Sequence, residues 1–360
     1  MKFQAINYTC PSCGAYVRFS PLAGMLKCDF CMSETPISQG DTELKSYDYL
    51  KSLSHIDEQT LQEAREVSCK KCGATFSTEP SVISTHCPYC QTPTMTKFYH
   101  KIQSHALLPF VITQKEAKVR LQRWIGSLWF APTVFTKYFK SREQLIGYYI
   151  PHWDYSSDTY TDYRGMRGDK YFVTVPRTVM RDGKEVQELV KETRINWTAV
   201  SGSVTVEFDE VLISATEHLP RELLDSVSPW NTEDLQSFDY AYLSGFEAQE
   251  YTTSLEQGFD YAKTKMESTI KQKIRADIGG DQQQIHSLDT RYDEIAYINL
   301  LLPIWTATFK WKNKVYRYVI NGQTGRVSGA RPYSIVKIFF LVGTIALLLA
   351  AALYYDHLHN

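Results

Sequence analysis

The sequence has no cysteine outside two short segments, and this absence limits the chemistry that the chain can perform. All eight cysteines among 360 residues fall in CPSCGAYVRFSPLAGMLKCDFC (10–31) and CKKCGATFSTEPSVISTHCPYC (69–90). None is left over as a catalytic nucleophile. The chain also lacks the glycine-rich phosphate loops, the H-E-x-x-H motif and the G-x-S-x-G motif. We therefore do not expect an enzyme, and in particular no helicase, nucleotide-hydrolysing or protease activity.

The chain also has little net charge. It carries 39 Lys and Arg against 40 Asp and Glu, for a formal net charge of -1 and a pI near 6.8. Dedicated nucleic-acid-binding proteins usually carry a strong positive charge, so any such activity would have to be local. With 43% hydrophobic residues, the composition is that of a globular protein.

The eight cysteines form two quartets with the same spacing. In each quartet, two C-x-x-C pairs are separated by fourteen residues. This spacing is typical of four-thiolate zinc sites, although disulfides or an iron–sulfur cluster are alternatives. Gly14 and Gly73 follow the first pairs, where a metal knuckle needs an unusual backbone angle. We predict two structural Zn²⁺ ions in two zinc ribbons, residues 1–40 and 67–100. The predicted ligands are Cys10, Cys13, Cys28, Cys31, Cys69, Cys72, Cys87 and Cys90.

Charges near the two ribbons bear on what they recognise. Residues 1–40 sum to +1 and residues 67–100 sum to +2. Tight phosphate binding usually needs several cations, so the sequence favours a protein partner. The alternative is a membrane-tethered nucleic-acid-binding factor linked to replication or transcription. Its phosphate contacts would be Arg18, Lys27, Lys70 and Lys71.

The C-terminus carries the longest apolar run. Residues 338–354 contain no charge and no proline, and the run extends back to Ile335. About 20 helical residues cross a bilayer core, so we predict a transmembrane helix at 333–355 with a short tail at 356–360. Arg326, Arg331 and Lys337 precede the uncharged run at 338–354, which predicts that the bulk of the chain lies in the cytoplasm and the helix in the inner (cytoplasmic) membrane. The alternative is an apolar helix that packs on a partner protein.

Between ribbons and helix, the sequence predicts an α+β domain at 101–332 with mostly antiparallel strands. Residues 41–66 are polar and predict a partly helical linker. Thr113 and Glu116 form a capping box before a helix that Pro132 ends. Short strands follow as a meander, with a turn at RDGK (181–184). A long helix is predicted from about Gly245 to Ile278, with one apolar face made of Leu255, Phe259, Ala262, Met266, Ile270 and Ile274. The segment 146–165 resembles the segment 296–334, since both place an apolar strand, a proline and a tryptophan ahead of an aromatic-rich strand, so a divergent internal duplication is one alternative for this domain.

Alternation on the strand at 152–162 puts polar side chains on one face. These are His152, Asp154, Ser156, Asp158, Tyr160 and Asp162. Such a face could hold a metal or an acid–base pair, but a solvated sheet face is the favoured interpretation. The triplet Arg167-Gly168-Asp169 is predicted to lie in a turn.

Four features together resemble a known group of proteins. They are the ribbon pair, the IPHW strand (150–153), the apolar helix and the segment LLPIWTATFKWKNKVYRYVINGQTGRVSGARPYS (301–334). The chain is similar to a bacterial family of transcription-factor-IIB-type zinc-ribbon membrane proteins, often labelled primosomal protein N′ (replication factor Y) or helicase-like. The missing phosphate loop contradicts the helicase label. The resemblance implies zinc binding by the eight cysteines. It also implies a membrane-linked accessory protein, with stomatin/prohibitin/flotillin-type or phage-shock-type partners in membrane organisation or envelope stress.

Overall fold

The computed structural model has mixed α and β structure and is mostly sheet, as the sequence predicts. It describes residues 2–4, 6–37, 44–54, 65–98, 102–132, 145–181, 184–311, 314–331 and 333–359. Half of the predicted linker, residues 41–43 and 55–64, lies outside the described residues, and so do residues 182–183 of the predicted RDGK turn. Within the linker, a two-residue strand leads into helix α1 (Tyr49–Leu53).

Each cysteine segment forms small antiparallel ladders. In the first, β2 pairs with β3 and β3 with β4. In the second, β6 pairs with β7 and β8 with β9, while β1 of the first segment pairs in parallel with β6. The strands are β1 (Lys2–Gln4), β2 (Val17–Ser20), β3 (Met25–Cys28), β4 (Glu34–Thr35), β5 (Tyr47–Asp48), β6 (Arg65–Ser68), β7 (Thr75–Thr78), β8 (Val82–His86) and β9 (Pro93–Met95).

Three very long strands, β11, β12 and β15, dominate an eleven-stranded sheet. Strand β11 lies between β12 and β15 and is antiparallel to both. The remaining strands extend the sheet on either side, and β8 of the second cysteine segment joins it by pairing with β14. The strands are β10 (Ala106–Leu107), β11 (Ile146–Arg181), β12 (Lys184–Ser214), β13 (Gln236–Ser237), β14 (Glu247–Gln249), β15 (Gln282–Trp311), β16 (Lys314–Asn321) and β17 (Val327–Gly329).

The predicted meander of short strands is wrong in one respect, because the strands are continuous. Arg167-Gly168-Asp169 lies inside β11, opposite Thr198, Trp197 and Asn196 of β12, and not in a turn. An aromatic ring covers the glycine: a Cβ added at Gly168 would lie 2.8 Å from the Trp197 ring. The Trp197 ring supplies the packing that Gly168, which has no side chain, cannot provide. Strand β11 therefore continues through Gly168, although glycine usually marks a turn.

The helices follow the sequence more closely. Helix α2 (Gln114–Gly126) starts at the predicted Thr113–Glu116 capping box but ends at Gly126, before Pro132. A short helix, α3 (Arg221–Asp225), precedes single 3₁₀ turns at Thr232–Asp234 and Tyr240–Leu243. Helix α4 (Leu255–Ile278) begins ten residues later than predicted, because β14 occupies 247–249 and Ser254 caps the helix. It ends at Gly279, whose φ is 66°, as predicted.

The apolar side chains form three clusters about the sheet. Helix α4 covers one face of β11, β12 and β15, and its predicted apolar positions are all buried. They are Leu255, Phe259, Ala262, Met266, Ile270 and Ile274. A second cluster joins α2, the start of β11 and the first cysteine segment, and a third lies beneath α3. Buried apolar area is the main stabilising term, so the cysteine segments share the stability of the sheet.

The C-terminal helix α5 (Ile335–His359) extends away from these clusters. Its residues 335–355 have a mean hydropathy of 2.5, and none of that stretch is buried within the chain. Length and composition therefore allow α5 to span a membrane once.

Candidate metal centres

The first cysteine quartet converges on one point. Its four sulfur atoms all lie within 4.8 Å of one another. The Sγ atoms of Cys10 and Cys31 are 3.5 Å apart, and those of Cys13 and Cys28 are 3.6 Å apart. Tetrahedral Zn–S bonds of about 2.3 Å place sulfur atoms about 3.8 Å apart. The quartet could therefore hold a metal ion with little rearrangement.

The second quartet repeats this geometry. Its sulfur atoms also lie within 4.8 Å of one another. Cys69 and Cys90 approach to 3.6 Å, and Cys72 and Cys87 to 3.8 Å. Four thiols are a complete donor set for a tetrahedral ion and leave no open position for a substrate. Among the described residues, these quartets are the groups of three or more metal-ligating side chains close enough to bind one ion.

One backbone motif builds all four C-x-x-C knuckles. The residue after each pair has a positive φ: Gly14 (71°), Met32 (62°), Gly73 (74°) and Gln91 (57°). Its N–H donates to the carbonyl of the first cysteine of the pair, at 2.8–2.9 Å. The glycines were predicted from the sequence, but Met32 and Gln91 were not, because neither residue type favours this backbone region. The repeated position after the pair is the signal that marks them.

Hydroxyl groups support one thiol or more in each quartet. Ser33 Oγ lies 3.0 Å from Cys10 Sγ and 3.1 Å from Cys31 Sγ. Its hydrogen bond lowers the pKa of Cys10 to about 6. Thr92 Oγ1, at 3.2 Å, does the same for Cys90, whose pKa is also lowered to about 6. Thiolate is the form that binds metal, so these hydroxyls favour metal binding at Cys10 and Cys90, whereas burial and the neighbouring thiols raise the pKa of Cys13 and of Cys72. The sequence analysis did not identify Ser33 or Thr92.

Both metal modules are docked on the same loop of the sheet domain, 243–246. The Phe19 N–H donates to Ser244 O at 2.8 Å, and Ser244 Oγ donates to Val17 O at 2.7 Å. From the second module, Ser84 Oγ donates to Phe246 O at 2.7 Å. Buried hydrogen bonds of this kind fix orientation. The modules are therefore held against the sheet and against each other.

The outer surface of each module presents an aromatic ring at the same position. Phe30 and Tyr89 each precede the last cysteine of their quartet. Their side chains are 82% and 70% exposed. Large aromatic residues at such exposure are enriched in binding surfaces. The paired segments CDFC (28–31) and CPYC (87–90) show this correspondence in the sequence, but it was not among the predictions.

The predicted phosphate contacts are not equivalent in the structure. Arg18 pairs with Asp29 at 3.6 Å, and Lys27 pairs with Glu34 at 3.2 Å. Lys70 is exposed, and Lys71 Nζ lies 5.9 Å from the centre of the Tyr16 ring. A carboxylate beside a cation offsets its attraction for phosphate. Two of the four cations are thus poorly suited to a phosphate backbone.

The predicted polar face of β11 is not uniformly solvated. His152 is buried, and its Nδ1 lies 3.1 Å from Ile150 O. Asp158 and Asp162 are exposed, as predicted. The alternation of burial continues through Ser157, although the register with both neighbouring strands shifts there. Burial raises the pKa of Asp154 to about 7, and the charge of Glu210 adds to this effect.

Asp154 gives a pH-dependent prediction. Its pKa is raised in the folded chain, so folded protein keeps the proton longer than unfolded protein, and stability falls as pH rises from 3.8 through 7. We expect Asp154→Asn to raise the free energy of unfolding above that of the wild type, and this increase should be roughly 2 kcal/mol larger at pH 8 than at pH 5. Unfolding of the full chain in detergent at both pH values measures this difference. The exposed Asp158→Asn serves as the control, and equal effects of Asp154→Asn at both pH values would contradict the prediction.

Comparison with known proteins adds one relative. No protein-family model and no solved structure matches the chain. A protein of Bacillus subtilis (strain 168), named uncharacterized protein YdjG, is 25% identical over 235 residues. The match spans 64% of this chain and 64% of that protein, so the chain covers less than two thirds of its relative. This similarity carries no activity, substrate or partner.

Proposed function

We propose that the protein is a membrane-anchored adaptor that binds a protein partner through its two metal modules. The observation that carries this proposal is the pair of exposed rings, Phe30 and Tyr89, at the same position beside each cysteine quartet. Two matching rings on one rigid body suit bivalent contact with a protein surface. Partners of the stomatin/prohibitin/flotillin or phage-shock type, in membrane organisation or envelope stress, belong to this proposal.

The proposed metal is zinc, in two structural sites. Four thiols at tetrahedral separations suit Zn²⁺, and complete ligation leaves no position for catalysis. The cysteines are close without any disulfide bond among them. An ion would neutralise the thiolates and fix the knuckles that carry Phe30 and Tyr89. Zinc would therefore act by holding the recognition surface in shape.

The proposed anchor is α5, with the sheet domain in the cytoplasm. Arg326, Arg331 and Lys337 precede the apolar stretch, and no Lys or Arg follows it. Positive residues flank the cytoplasmic end of membrane helices, which gives the orientation. The nucleic-acid alternative is less well supported, because Arg18 and Lys27 are in ion pairs with carboxylates.

The test compares three single variants of the full chain. We expect Phe30→Ala and Tyr89→Ala each to lower recovery of a stoichiometric protein partner at least fivefold when the chain is purified from its native membranes after nuclease treatment. Leu22→Ala is the matched control, because Leu22 is 87% exposed on the first module but lies in the turn between β2 and β3. Mass spectrometry of the bound proteins gives the readout.

Three results would contradict the proposal. A partner retained equally by all variants would show that the rings do not form the binding surface. Bound DNA or RNA that is released by salt and lost with Lys70→Gln would favour the nucleic-acid factor, since phosphate contacts release counterions. A chain found in the soluble fraction would overturn the anchor.

A further inference from the structure

Hydrogen bonds join the start of α5 to the loop that follows α2, about 200 residues earlier in the chain. Lys337 Nζ donates to Trp129 O at 3.0 Å and to Ala131 O at 2.8 Å. The Ser334 N–H donates to Phe130 O at 2.7 Å. These contacts join the apolar helix to the loop that follows α2. The loop therefore lies at the level where α5 would enter a membrane.

Two aromatic side chains project from this junction. Trp129 is 76% exposed and Tyr333 is 65% exposed. Tyr333 lies two residues before α5, whereas Trp129 reaches the same place only through folding. Trp and Tyr are enriched at the membrane–water interface, where an apolar ring and a polar group are both accommodated. The position of Trp129 thus matches the headgroup layer.

The junction between α5 and the loop after α2 contains positively charged side chains and no negatively charged ones. Residues 120–132 and 326–337 contain five Arg and Lys and no Asp or Glu, in a chain whose net charge is -1. Arg120 and Arg326 are exposed and donate to the backbone carbonyls of Thr324 and Ser228, at 3.4 Å and 2.6 Å. The other three are Arg123, Arg331 and Lys337. Arg331 lies 5.4 Å from the centre of the Trp124 ring, which places it beside α2.

We propose that Arg123, Trp129, Arg331, Tyr333 and Lys337 form a lipid-contact surface that binds the headgroups of anionic phospholipids. The aromatic rings enter the membrane–water interface, and the cations contact lipid phosphates. Each cation near an anionic membrane surface strengthens the attraction of the protein to that surface. The sheet domain is then held at a fixed orientation to the bilayer and is not tethered loosely by α5. This inference rests on the proposed insertion of α5 in a membrane.

The experiment uses the full chain in nanodiscs. Phospholipids brominated on the acyl chain near the headgroup quench tryptophan in the interface. Discs of equal phosphatidylcholine and phosphatidylglycerol are made with the bromine on one lipid or the other. We expect wild-type fluorescence to be quenched, and more strongly by brominated phosphatidylglycerol. Trp129→Phe should remove at least half of the quenched signal, whereas Trp197→Phe, on β12, should leave it unchanged.

A charge variant tests the lipid preference separately. Arg123→Gln with Arg331→Gln should reduce the phosphatidylglycerol preference at least twofold, and Arg194→Gln should not. Quenching that Trp129→Phe leaves intact, or a preference that the double variant retains, would overturn the lipid-contact surface. Failure of the wild-type chain to enter discs would instead overturn the proposed anchor, so the two outcomes are distinct.

Discussion

Cys10→Ser is expected to remove one zinc ion per chain and to destabilise the sheet domain as well as the first metal module. Cys10 and Cys28 belong to the same buried cluster as Phe19, Tyr149 and Trp305. Structural zinc contributes about 10–16 kcal/mol to the folding of small zinc modules. Even a loss of about 3 kcal/mol would lower the unfolding midpoint of a chain of this size by about 4 °C.

Metal analysis and thermal unfolding of the full chain in detergent check this result. Ser12→Ala is the matched control, since Ser12 lies between Cys10 and Cys13, is exposed and is no ligand. Wild-type protein should contain two zinc ions, and the variant should contain one. Unchanged zinc content would rule out the assignment of the ligands. One lost zinc with an unchanged midpoint for the sheet would show that the module folds independently of it.

The docking of the modules could not be predicted from the sequence. Cysteine spacing is a local pattern and identified every proposed ligand. The bonds from Ser244 to Val17 and from Ser84 to Phe246 join residues far apart in the chain, and serine is common in loops without any such role. Ser33 and Thr92 were missed for a different reason. Each lies two residues after the last cysteine of its quartet, but a single Ser or Thr in a loop does not by itself indicate a bond to a thiol.

The fold shows a similar division between local and distant causes. The capping box of α2 and the apolar stripe of α4 depend on residues three or four apart, and both are as predicted. The length of β11 and β12 depends on partners across the ladder. Tyr163 lies against Gly202, and Trp197 against Gly168, so two glycines that suggest turns are covered by rings from the neighbouring strand. Period-two patterns alone could not show this.

Gly258→Ala is expected to destabilise the protein, although alanine normally favours a helix over glycine by about 1 kcal/mol. Gly258 lies in α4 directly over two buried rings of β11, and an added Cβ would be 2.6 Å from Trp153 Cδ1 and would also contact the Tyr155 hydroxyl. Neither ring can move freely. Trp153 Nε1 donates to Thr253 O at 3.0 Å, and the Tyr155 hydroxyl donates to Leu255 O at 2.7 Å.

Overpacking costs about 1–3 kcal/mol, and loss of a buried hydrogen bond costs about 1–3 kcal/mol more, so we expect a net loss of about 2–4 kcal/mol. Gly126→Ala, at the end of α2, is the matched control because no atom lies within 4 Å of its added Cβ. Chemical unfolding measures the free energy of unfolding of both variants. It should fall for Gly258→Ala and should rise or stay unchanged for Gly126→Ala. Equal stabilisation by both substitutions would mean that α4 can move away from β11, and that the hydrogen bonds of Trp153 and Tyr155 do not fix its distance from the sheet.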